Sequence, residues 1–165
     1  MIPDATAPAT PAEILQAARY WGLKIATAES CTGGMVAVAL TDVAGSSDVF
    51  ERGFVTYSNA AKVEMLGVSP ATLDAHGAVS EAVAREMAEG ALAHSAAGLA
   101  VSVTGIAGPG GSEFKPEGRV CFGLARRGRA TLVETVEFGA LGRTQVREAA
   151  RDHALRVLAR SVAVM

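Results

Sequence analysis

Apolar residues recur at helical spacing at Ile14, Ala17, Ala18 and Trp21, behind a Thr10-Pro11 pair and ahead of Gly22. Thr10 suits an N-cap, Pro11 a first helical position and Gly22 a stop, so a helix is predicted from about residue 11 to residue 21. Residues 1–9, with Pro3 and Pro8, read as a loose tail. The pattern then changes period. A strand is predicted over 23–28, a helix over 34–42 and a second strand over 53–57, where Phe54, Val55, Thr56 and Tyr57 favour sheet. Ser58-Asn59 caps a helix over 60–66, Ser69-Pro70 opens a short one, and Ser80 caps a long one over 81–95. An apolar strand over 99–104 leads into a glycine-rich loop, 105–118. Two strands, 119–125 and 131–138, joined by Arg126-Arg127-Gly128-Arg129, form a hairpin, and a final helix covers 143–163.

Strand–helix–strand units imply parallel pairing, and the hairpin implies one strand running the other way. The predicted fold is a three-layer α/β/α sandwich with a mixed five-stranded sheet, one strand antiparallel, as a single domain over 10–165. A chain of 165 residues, 50% hydrophobic and 19% charged, can build such a core without staples. A net charge of -2 gives no basic footprint for nucleic acid. Cys31 and Cys121 have no paired Cys or Cys/His spacing, which argues against a disulfide framework or a structural zinc. No apolar run is long enough for a membrane span and no secretory leader stands out, so a cytoplasmic protein is expected.

Ligands of open α/β sheets gather outside the carboxyl ends of the strands. Three loops follow such ends: 29–34, 57–62 and 104–118. In the first, Glu29, Ser30, Thr32 and Gly33 precede a helix, where backbone N–H groups and hydroxyls suit an anion; the same residues suit a tight turn with hydroxyl caps. In the third, Thr104, Gly105 and Gly108 offer backbone to a ligand, where the alternative is a plain connector. A serine needs a base to become a nucleophile, and no Ser/His/Asp set presents itself. Ser47, Tyr57 and Lys62 are candidates, with Lys62 in the first turn of a helix, where the dipole and burial favour the neutral amine; a helix-capping Ser47 and a solvated Lys62 are the plainer alternative. Cys31 is a rival nucleophile if a helix N-terminus lowers its thiol pKa. Arg143 and Arg147, one turn apart on the last helix, could clamp a phosphate or face solvent.

Several stretches in order carry a resemblance: Thr27-Ala28-Glu29-Ser30-Cys31-Thr32-Gly33-Gly34, Ala44-Gly45-Ser46-Ser47, Gly53-Phe54-Val55-Thr56-Tyr57-Ser58-Asn59 with Lys62, His76-Gly77-Ala78-Val79-Ser80, and Thr104-Gly105-Ile106-Ala107-Gly108-Pro109. Together they resemble the CinA C-terminal domain family, in its stand-alone form, over nearly the whole chain. The resemblance implies hydrolysis of the carboxamide of nicotinamide mononucleotide to nicotinate mononucleotide and ammonia, without metal or cofactor, in pyridine nucleotide recycling. It implies Ser47, Tyr57 and Lys62 as the catalytic group. Substrate is expected on Glu29, Ser30, Thr32, Gly33, Ser46, Thr104, Gly105, Gly108 and Arg143. A homodimer is expected too, with no nucleic-acid or membrane partner. The chain departs from the family pattern in a shorter 110–118 loop, with Glu117 in place of a usual valine, and in Ala140-Leu141-Gly142 before Arg143. Two other readings stand beside this one: an amidase using Cys31, and a nucleotide-binding module without catalysis.

Overall fold

The computed structural model describes residues 10–112 and 114–163; the expected tail over 1–9 lies outside them. The order of elements is α1 (Pro11–Tyr20), β1 (Ile25–Glu29), α2 (Met35–Thr41), a 3-10 turn (Ser46–Asp48), β2 (Phe50–Val55), α3 (Asn59–Leu66), α4 (Pro70–His76), α5 (Glu81–Ala93), β3 (Leu99–Gly105), β4 (Arg119–Arg126), β5 (Leu132–Glu137) and α6 (Arg143–Ala163). The start of α1 is the predicted one. Thr10 Oγ1 accepts from Glu13 N, and Glu13 returns the bond to Thr10 N, so two otherwise orphaned amides are satisfied.

One sheet carries the strands in the order β2-β1-β3-β4-β5. Strand β1 pairs in parallel with both β2 and β3, β3 pairs antiparallel with β4, and β4 antiparallel with β5. Only β4 therefore runs against the rest, and the mixed five-stranded sheet is as predicted.

The two faces of the sheet differ in side-chain size. On one, Ile25, Val101, Val103 and Phe122 pack with α1, α2 and the buried stripe of α6, which includes Val146, Ala150, Ala154 and Leu158. On the other, Ala26, Ala28, Ala100 and Ala125 meet Val83, Met87 and Ala88 of α5, with Leu66 of α3. Small residues on this face let α5 approach so closely that Ser102 Oγ donates to the Ala84 carbonyl at 2.6 Å. Alternation of side chains along each strand delivers the two faces.

One strand differs from the prediction. The sheet begins β2 at Phe50 and ends it at Val55, so Tyr57 lies beyond the strand. Glu51 and Arg52 are too polar to signal a buried strand, but β2 is an edge strand, and pairing with β1 recruits them without burying both faces.

Candidate active site

Strands β2, β1 and β3 end together, since Glu29 is in register with both Val55 and Val103. The chain leaves all three at one edge, and the loops 29–34, 57–62 and 104–118 converge there as expected from strand direction. A cavity of about 330 Å³ opens between them, with Ser30, Tyr57, Lys62, Thr104, Gly108 and Arg143 among the residues of its wall.

Ser30 is the first residue past β1. Its N–H donates to Val103 O at 2.9 Å and its carbonyl accepts from Gly33 N at 3.1 Å, so the backbone that carries its hydroxyl is fixed on both sides. Lys62 comes from α3, which starts at the Ser58 N-cap, where Ser58 Oγ accepts from Ala61 N at 3.0 Å. Lys62 and Leu66 form the buried stripe of that helix. Lys62 is only 1% exposed, and its Nζ lies 3.0 Å from Ser30 Oγ. The same Nζ donates to the carbonyls of Thr56 (3.0 Å) and Tyr57 (3.4 Å). Two N–H groups are thus committed to backbone oxygens in a site drawn out of water. A buried amine is costly to charge.

Tyr57 is exposed at the mouth, and its phenolic oxygen accepts from Arg143 Nη2 at 2.7 Å. Arg143 Nη1 donates to Gly108 O at 2.7 Å. This guanidinium stands at the first residue of α6, where the positive end of a 21-residue helix adds to its charge. Among the described wall residues Lys62 and Arg143 are the basic side chains, and no carboxylate is present.

Ser47 is not brought to this site. It lies on the 3-10 turn that enters β2, exposed beside the Arg19–Asp48 ion pair. Phe50, just after that turn, is in register with Ile25 at the start of β1. Ser47 and Ser46 therefore occupy the opposite edge of the sheet, roughly 20 Å away at about 3.3 Å per strand residue. The expected pairing of Ser47 with Lys62 is corrected: the hydroxyl that meets Lys62 is Ser30, expected only to bind substrate.

Glu29, Thr32 and Gly33 are corrected too. Glu29 is buried, and its carboxylate accepts from Thr32 Oγ1 (2.7 Å), Val36 N (2.9 Å) and Ala37 N (3.1 Å). It caps α2 from within the chain, because Gly34, at φ 108, turns the loop but has no side chain to do so. The α2 N-terminus already holds an anion, and Thr32 is spent on it. None of the three reaches the cavity wall. Hydrogen bonds to a charged group contribute about 1.5–3 kcal/mol each, so Glu29 serves the shape of the loop. Arg147, expected beside Arg143 on a phosphate, instead donates from Nε to Cys31 O at 3.0 Å and braces the same turn.

Cys31 lines the cavity, but its thiol is poorly suited to attack. Burial pushes its pKa up to about 12, and α2 begins only at Met35, too far on to lower it. Burial raises the Cys121 thiol as well. At pH 8 both are thiols, and iodoacetamide is expected to leave the folded protein unmodified; mass spectrometry showing rapid alkylation of Cys31 would contradict its protonated state. Among the described residues no three His, Cys, Asp or Glu side chains gather to hold a metal ion, and no helix is long and apolar enough to cross a membrane.

The edge where the parallel strands end thus carries a buried serine–lysine contact in a cavity whose wall also includes Arg143, on an α/β fold. The model of the CinA C-terminal domain matches residues 8–162, and the chain belongs to that family. It is 52% identical over 147 residues to the nicotinamide-nucleotide amidohydrolase PncC of Escherichia coli, covering 88% of each chain. It is 59% identical over 124 residues to a CinA-like protein of Chlorobium phaeobacteroides, covering 73% of this chain and 30% of that one. The chain spans about a third of the length of such longer curated relatives. The crystal structure of the competence/damage inducible protein CihA from Agrobacterium tumefaciens is 45% identical and superposes with a TM-score of 0.86, over 97% of this chain and 99% of that one.

Proposed function

We propose that this chain hydrolyses the carboxamide of nicotinamide mononucleotide to nicotinate mononucleotide and ammonia, with Ser30 as nucleophile and Lys62 as its base, in pyridine nucleotide recycling. The observation that carries the reading is the 3.0 Å contact of Ser30 Oγ with buried Lys62 Nζ in the wall of a cavity that also presents Arg143. The amidohydrolase similar over 88% of both chains supports the substrate.

In this mechanism neutral Lys62 keeps its two N–H bonds to Thr56 O and Tyr57 O and turns its lone pair to the Ser30 hydroxyl. Lys62 takes the proton as Ser30 Oγ attacks the amide carbon. Backbone N–H groups of the 30–32 turn or the 104–108 loop receive the oxyanion, a stabilisation that typically carries about 100-fold or more in rate. Protonated Lys62 gives its proton to the departing nitrogen, which leaves as ammonia. Water, deprotonated by Lys62, then cleaves the nicotinoyl ester and returns the proton to Ser30. Tyr57, oriented by Arg143, assists the proton transfers. Arg143 and the α6 N-terminus receive the 5′-phosphate, which a wall without carboxylates favours. The α2 N-terminus, filled by Glu29, takes no part. The assembly in this reading is a homodimer.

The test is incubation of the purified chain with nicotinamide mononucleotide and a chelator. Equal release of ammonia and nicotinate mononucleotide is expected. Binding without release would turn the reading to a nucleotide-binding module.

A further inference from the structure

Glu117 sits in the 105–118 loop, away from the Ser30–Lys62 pair, and its carboxylate spans two elements. Oε1 accepts from Gly110 N at 2.7 Å, and Oε2 accepts from Gly142 N at 3.1 Å. Its side chain packs on Gly108, where an added Cβ would stand 2.5 Å from Glu117 Cδ, and Gly108 has φ 86, a backbone conformation that favours glycine. Gly142 immediately precedes Arg143, and Gly108 supplies the carbonyl to which Arg143 Nη1 donates. One carboxylate therefore fixes both the start of α6 and the loop that receives the arginine.

Arg143 is exposed, and a free arginine has much rotamer entropy to lose on gripping a ligand. Its bonds to Gly108 O and Tyr57 Oη hold it ready only while the loop and the helix start keep their spacing. We infer that Glu117 is a positioning residue that sets the preference of this site for phosphorylated over unphosphorylated ligand, by holding Arg143 against the 108–110 loop. The inference rests on the amidohydrolase reading for the ligand and for the role of Arg143. It concerns binding, so turnover is not needed to test it.

The geometry acts against the charge of Glu117. A carboxylate near a phosphate site repels the phosphate, so electrostatics alone predicts tighter binding once it is removed. Positioning predicts the reverse, and the sign separates the two.

The experiment measures, by calorimetry, the Kd of nicotinamide mononucleotide and of its dephosphorylated nucleoside on the full chain carrying Ser30→Ala, with and without Glu117→Val. Positioning predicts that Glu117→Val weakens the mononucleotide about 10-fold, the scale of a lost charge-assisted bond, and leaves the nucleoside unchanged. In an Arg143→Met background the same substitution changes neither Kd, since residues acting through one contact are not additive. Glu117→Gln, with one acceptor oxygen left, falls between. Equal weakening of both ligands, a tighter mononucleotide, or full additivity with Arg143→Met would overturn the inference. Unequal Kd values in the Ser30→Ala protein together with no ammonia release by the unsubstituted chain would overturn the amidohydrolase reading and leave the role of Glu117 to be decided by the same ratio.

Discussion

Ser30→Ala is expected to cut turnover of nicotinamide mononucleotide by about 10,000-fold or more, the usual scale for removing a catalytic nucleophile. Ser47→Ala is expected to stay near the unsubstituted rate. The two variants remove the same atom from opposite edges of one sheet, so they form an internal control. Ser30→Ala deletes only Oγ. The bonds from its N–H to Val103 O and from Gly33 N to its carbonyl remain, and Lys62 keeps the Thr56 and Tyr57 carbonyls. The fold and the substrate affinity should therefore survive while ammonia release disappears, which calorimetry and a product assay on one sample can check together. Retained turnover in Ser30→Ala, or its loss in Ser47→Ala, would return the nucleophile to the far edge and require a base there. Beside Ser47, Asp48 is engaged by Arg19, so that carboxylate is already paired.

The architecture followed from pattern because every strand but one announces itself by side-chain alternation or an apolar run. The converging loops followed from strand direction. That rule also separates the two serines: Ser30 follows β1, whereas Ser47 precedes β2, and a residue ahead of a parallel strand faces the other edge. On pattern alone Ser47 has no fixed edge, because polar Glu51 and Arg52 hide the start of β2 and only residues 53–57 read as strand. Glu29 shows a different limit. A carboxylate beside a glycine turn suits a ligand or a cap equally on paper; only the path of the chain brings Val36 N and Ala37 N onto it. The same holds for Lys62, whose burial depends on α3 turning its first-turn lysine inward with Leu66. The signal available for it was the four-residue spacing of Lys62 and Leu66, one helical face carrying both. Glu117 carried no helical or strand pattern, because its partners are backbone amides of two separate segments.

Lys62→Met is expected to lower the rate by about 100- to 10,000-fold, the span attributed to a positioned general base. Methionine fills a slot of similar length without an amine, so circular dichroism should show the same helical signal. Lys62→Arg should fail as well, although it keeps a basic side chain: the guanidinium stays protonated at any working pH and presents a planar fork in place of a lone pair. The pH dependence has a definite sign. Only unprotonated Lys62 can take the Ser30 proton, so kcat/KM should rise with pH as the amine loses its proton and level off once it is neutral. Cys31, with its pKa pushed up to about 12, adds no step below that level. A falling profile over the same range would require an acid in place of a base. A near-normal rate for Lys62→Arg at pH 7 would rule out the lysine as base altogether. The 3.0 Å contact with Ser30 would then be a structural bond, and the proton would have to leave through Tyr57, the other ionisable hydroxyl on the cavity wall, whose oxygen already accepts from Arg143.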